Sequence, residues 1–172
     1  MQALSYISRP ADLPSWRHPP LDEVAIALQF NELSGLRTVH FGLLYEIYKA
    51  DGFVRFEDHP PIDHRFELFG ASTFRPPEFQ FQAGPFPLPR VWFIDAAGHE
   101  LVQLQRDRFV FNWRKQQHVG EYPRFGAIFP KFCERFDTLE TFISKSDIGR
   151  LEFDQWELSY FNNIEMRDGE SY

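Results

Sequence analysis

Cysteine is all but missing. Cys133 is the single one among 172 residues, so no internal disulfide can form, and a zinc site built from several thiolates is excluded. Positive charge is short as well: 18 Lys plus Arg face 25 Asp plus Glu, a formal charge of −7. Such a chain is repelled by phosphate backbones, which argues against nucleic acid as a partner unless basic residues cluster locally. Long apolar runs are absent, and none approaches the roughly 20 residues that a membrane helix needs. Positions 1–20 hold no apolar stretch flanked by positive charge, so no secretory signal is expected there. The 10 glycines are scattered, and neither G-x-x-x-x-G-K nor G-x-G-x-x-G occurs to cradle a phosphate. The expectation is a cytoplasmic protein with no cofactor, no metal and no membrane contact.

What the chain does have is aromatic. It carries 20 Phe, 6 Tyr and 4 Trp beside 13 Pro. Hydrophobic residues at 43% and charged residues at 25% are globular proportions, and the length suits one domain with a real core. Positions 1–20, with four prolines, read as an extended lead-in. A single domain is expected over 21–166, and 167–172 as a frayed tail.

Val24, Ile26, Leu28 and Phe30 alternate with small residues, which predicts a central strand. Leu36, Val39, His40, Leu43, Leu44, Ile47 and Tyr48 recur at helical spacing, with Ser34 as the expected N-cap and Asp51-Gly52 as the stop. From Phe53 to Pro89 prolines punctuate the pattern, leaving short strands at 66–69 and 79–82. A strand over 90–95 then turns through Ala96, Ala97 and Gly98 into a long arm over 100–114. The apolar phase of that arm switches from Val102 and Leu104 to Phe109, Phe111 and Trp113, which predicts a bulge or sharp bend near 106–108. Phe125, Ile128, Phe129, Phe132, Cys133, Phe136, Leu139 and Ile143 keep helical spacing, interrupted by Pro130, which requires a kink or a helix start there. Trp156, Leu158 and Tyr160 alternate with polar residues in a half-exposed strand. The order predicts an α+β fold: a bent antiparallel sheet of about five or six strands with two amphipathic helices on one face.

Catalytic patterns are thin. Asp58-His59-Pro-Pro-Ile-Asp63-His64 offers carboxylates and imidazoles, but its two prolines make it a loop whose side chains need not converge. Cys133 and His40 lie on apolar helix stripes and read as packing residues. The densest polar cluster is different. On a regular strand Arg106, Arg108, Asn112 and Arg114 share one face, and a row of guanidiniums accepts carboxylate or phosphate by bidentate geometry. The competing reading is an internal network. Phe74, Phe79, Phe81 and Phe86 have no core assignment and form a candidate apolar patch for a protein partner or self-association. Phe109, Phe111 and Trp113 could stack on single-stranded RNA if they lay exposed on the sheet.

Several strings resemble a known family. They are Pro19-Pro-Leu-Asp-Glu-Val24, Leu36-Arg-Thr-Val-His-Phe-Gly42, Val91-Trp-Phe93, Leu101-Val-Gln-Leu-Gln-Arg-Asp-Arg-Phe109, Asn112-Trp-Arg114, Tyr122-Pro-Arg124 and Glu157-Leu-Ser-Tyr160 with Asn162. Together, over 19–164, they are similar to the N-terminal half of an uncharacterised, sporadically distributed bacterial protein family. Asn163 stands where that family has His, which speaks against a catalytic role there. Sporadic distribution implies horizontal transfer, and with it a role in defence, toxin–antitoxin systems or mobile elements. The sequence-level expectation is therefore a non-enzymatic binding or interaction protein, with a small-anion or nucleotide site on the Arg-rich strand as the alternative.

Overall fold

A computed structural model describes residues 19–63, 87–116 and 121–164. The element order is β1 (Leu21–Phe30), α1 (Thr38–Ala50), β2 (Phe53–His59), β3 (Arg90–Asp95), β4 (Glu100–Gln105), β5 (Arg108–Arg114), α2 (Phe125–Ser146) and β6 (Phe153–Asn162). The six strands form one sheet in the order β2-β3-β4-β5-β1-β6, antiparallel throughout. Both helices lie on one face, so the fold is α+β as the pattern predicts. Among the described residues no helix is long and apolar enough to cross a membrane.

Alternation builds the core. Val24, Ile26, Leu28 and Phe30 on β1 face the same way as Phe109, Phe111 and Trp113 on β5, and all are buried. Phe93 on β3 meets Tyr45 and Tyr48 of α1, while Phe109 meets Phe132 and Phe136 of α2. The two helices are joined beneath the surface: the Tyr48 hydroxyl donates to the Arg135 carbonyl at 2.8 Å, and Arg135 pairs with Asp51 at 2.7 Å. Gly35 sits so close to Ile148 that a β-carbon would run into the Ile148 carbonyl. The loop before α1 is thereby held against the end of α2, and Gly35 N–H bonds the same carbonyl at 3.0 Å.

Four local expectations are refined. The phase switch in the arm over 100–114 is the sharp bend rather than the bulge: Arg106 and Asp107 form a two-residue turn between β4 and β5, with Gln105 opposite Arg108. The turn closes without positive φ, so no glycine or asparagine signals it. The stripe of α1 is rotated. Phe41, Leu44 and Tyr48 are buried, whereas Val39, Leu43 and Ile47 are exposed. The helix starts later than Ser34, with Arg37 as N-cap, its N–H donating to His40 Nδ1 at 2.9 Å. Finally, α2 runs through Pro130 from Phe125. Gly52 does stop α1, with φ 97° after the C-cap Asp51. The strands expected at 66–69 and 79–82, the tail and most of the lead-in lie outside the described residues.

Burial holds the Tyr48 phenol above its ordinary pKa of 10.0, with Arg135 opposing and Asp51 reinforcing the shift. A raised phenol leaves stability intact below the unfolded value and erodes it as pH rises beyond. Tyr48→Phe should therefore cost about 1 kcal/mol near neutral pH, the worth of one buried hydrogen bond. The deficit should narrow as urea unfolding is repeated from about pH 8 to about pH 11, because the variant has no phenol to ionise on unfolding.

Candidate functional site

Alternation also decides what the helices do not cover. On the opposite face β3 presents Arg90 and Trp92, β4 Gln103 and Gln105, β5 Arg108, Asn112 and Arg114, and β1 Glu23 and Gln29. Between them Ala25, Ala27 and Val110 make a floor of small buried side chains. Long polar residues can fold inward over such a floor without clashing.

They do so in an ordered chain. Arg90 Nη1 donates to Gln103 Oε1 at 3.0 Å, Gln103 Nε2 to Asn112 Oδ1 at 2.8 Å, and Asn112 Nδ2 to the Glu23 carboxylate. Four strands are thus linked by side chains. Arg108 Nη2 donates to Gln29 Oε1 at 2.8 Å. Gln105 acts as a substitute strand: its amide accepts from Ile62 N–H at 2.9 Å and donates to the Ile62 carbonyl at 2.8 Å, clipping the segment after β2 onto this face. Trp92 forms the centre. His59 stacks on it at 3.9 Å, and the Arg90 and Arg114 guanidiniums stand 5.4 and 5.7 Å from its ring, a cation–π arrangement.

Carboxylates share this face but are engaged elsewhere: Glu23 accepts from Asn112, and Glu57, opposite Trp92, contacts His59 at 3.2 Å. Among the described residues no carboxylate lies within ion-pair distance of Arg90, Arg108 or Arg114, while Arg106, Lys131 and Arg135 all have one. Burial, and then the charge of Arg108, lowers the pKa of Arg90. Three buried donors on this face, Arg90 Nε, Arg114 Nε and Trp92 Nε1, have no hydrogen-bond acceptor among the described residues. Donors and positive charge lacking acceptors are what an anion satisfies.

Of the residues expected to form an anion site, Arg108, Asn112 and Arg114 share this face. Arg106 stands apart in the turn, paired with Glu32. Arg90, Trp92, Gln103 and His59 are additions that sequence reading missed, although Arg90 and Trp92 lie two apart on a strand and so must share a face. Phe109, Phe111 and Trp113 are buried under the helices, so they offer no stacking surface for RNA. Phe74, Phe79, Phe81 and Phe86 lie outside the described residues. His40 serves the α1 N-terminus and meets Phe142 edge-on. Cys133 packs against the core, and burial, aided by Asp137, raises its thiol pKa. No three His, Cys, Asp or Glu side chains converge among the described residues. A cleft of roughly 390 Å³ between Asp51, Asp95, Glu100, Lys131 and Arg135 has its cations already engaged by Glu100 and Asp51.

Compared with protein-family models, curated proteins and solved structures, the chain finds no match.

Asn112 is the hinge of the side-chain chain. Asn112→Leu should cost about 1–3 kcal/mol, because Gln103 and Glu23 each lose a buried partner. The urea midpoint should fall with an unchanged slope, as expected when only the native state is affected.

Proposed function

We propose that this is a non-enzymatic binding protein of the cytoplasm that holds an anionic group, carboxylate or phosphate, against the polar face of its sheet. The observation that carries the reading is the set of three guanidiniums, Arg90, Arg108 and Arg114, gathered without carboxylate partners among the described residues, in a chain whose net charge is −7. Arg90 Nε, Arg114 Nε and the Trp92 indole N–H have no acceptor among the described residues, and the indole adds an aromatic wall, so a ligand with both a planar ring and an anionic group suits the face best. The family resemblance supports the same residues. The strings Leu101-Val-Gln-Leu-Gln-Arg-Asp-Arg-Phe109 and Asn112-Trp-Arg114 are β4, its turn and β5, which supply Gln103, Arg108, Asn112 and Arg114. We take the chain as a member of that sporadically distributed bacterial family, where ligand or partner binding fits a defence or toxin–antitoxin role.

Isothermal titration with inorganic phosphate, citrate and a mononucleotide tests the reading. Binding of at least one is expected, and Arg108→Ala or Arg114→Ala should weaken it by roughly 10- to 100-fold, the worth of a charge-assisted hydrogen bond. Arg106→Ala, whose partner is Glu32, should leave the affinity unchanged. Absence of binding by all three probes, or equal loss in the Arg106 variant, would refute the site.

A further inference from the structure

The two edges of the sheet are unlike. β2 carries Arg55, Glu57 and Asp58 and is followed at once by Pro60-Pro61, features that discourage a second strand from pairing. β6 is less protected: it carries Asp154 and Glu157 but no cation and no following proline pair. Its ten residues, Phe153–Asn162, include no Lys, Arg, Pro or Gly, and its irregularities are confined to the two ends. Trp156, Leu158 and Tyr160 project in line on the helix side of the sheet, 58%, 49% and 45% exposed, with Phe161 exposed on the other side. Among the described residues no strand pairs with the outer edge of β6.

We propose that β6 pairs antiparallel with β6 of a second copy of this chain, about a two-fold axis at Leu158, so that two six-stranded sheets become one. Symmetry makes the edge self-complementary. Across a two-fold axis in an antiparallel pair one residue faces its own copy, so even positions always face even positions, and the apolar row of one chain continues into that of the other. Charge then selects the register. Only axes at 157 and 158 keep nearly the whole strand paired, and the first opposes Glu157 to its own copy, a like-charge contact. The axis at 158 sets Trp156 against Tyr160, Glu157 against Ser159, and Asp154 against Asn162, with Leu158 against itself. The exposed parts of Trp156, Tyr160 and Phe161 amount to on the order of 300 Å² of side chain per copy, taking about 150–250 Å² for each whole aromatic. Adding the paired backbone brings the contact toward the roughly 800 Å² per partner of a standard interface. This inference is independent of the anion site, which lies mainly on β3, β4 and β5.

Sedimentation of the full 172-residue chain over a concentration series should show a mass rising from 20.4 kDa toward twice that value. Leu158→Lys opposes two ammonium groups at the axis and should weaken association by on the order of tenfold or more, whereas Val39→Lys on the exposed side of α1 should not. Register is read separately by oxidative cross-linking. Leu158→Cys should yield a disulfide-linked dimer, since facing residues fall within bridging distance, and Tyr160→Cys should not, its copies being roughly 13 Å apart along the strand. Wild-type chain oxidised in parallel supplies the Cys133 background. A wild-type mass that stays at 20.4 kDa, association undiminished by the Leu158→Lys change, or cross-linking at 160 in place of 158 would each overturn the proposal. A different protein captured on the edge of a monomeric chain would overturn it too.

Discussion

The register between β1 and β5 is the constraint on which the rest of this structure depends. It is pinned at both ends by backbone hydrogen bonds beyond the ladder. Phe30 and Leu33 N–H groups donate to the Asp107 and Arg106 carbonyls at 3.0 and 2.9 Å, and Lys115 N–H donates to Asp22 at 2.7 Å. The turn between β4 and β5 is therefore also a cap on β1. A slip of one residue would turn Val24, Ile26 and Leu28 outward and bring Glu23, Ala25 and Gln29 under the helices. With the register held, one strand supplies both the apolar floor beneath α2 and the small-residue floor of the polar face.

That second face shows how one carboxylate can set the charge of a surface. Glu23 stands opposite Arg114 in the ladder, the position from which it could neutralise that guanidinium. Its carboxylate instead accepts from Asn112, which completes the chain through Gln103 to Arg90. Arg114 is left to lie over Trp92. Positive charge without a counter-ion destabilises a fold unless something else compensates it. Here the Gln103 and Gln29 amides fix Arg90 and Arg108 in place while leaving their charge available, the combination that suits recognition better than stability.

Much of this architecture is legible in the chain, and the failures have definite causes. Period two is plain over Val24–Phe30 of β1 and Gln155–Tyr160 of β6, where large apolar residues fall at every second position. The phase change in the arm over 100–114 is equally visible, but a bulge and a two-residue turn both reverse parity, and Arg106-Asp107 lacks the glycine or asparagine that would separate them. α1 is misread because it is apolar on two sides: Phe41, Leu44 and Tyr48 compete with Val39, Leu43 and Ile47, and periodicity cannot say which set meets a sheet. β2 is missed since only Phe53 is buried in it and charged residues fill its centre. On the polar face, Arg108, Asn112 and Arg114 are found because they share a strand. Arg90 and Trp92 come from another strand, and only the pairing of β3 with β4 brings them in.

The exposed β6 row follows from a mismatch of widths. Six strands spaced about 4.8 Å apart make a sheet about 25 Å across, whereas two helices packed side by side cover only about 20 Å. α1 is drawn toward the β2 and β3 side by Phe53 and Phe93, both in contact with Tyr48. α2 is held over β5 by Phe109, and it meets β6 through Phe132 and Phe136, which touch Trp156 and Phe153. The aromatic stack of α2, Phe125-Phe129-Phe132-Phe136, therefore ends at two half-covered rings on the outermost strand of the sheet. A third helix would close the layer. Lacking one among its described residues, the chain carries its aromatic excess past the limit of its own core, and the last strand is apolar for reasons that a single copy does not satisfy.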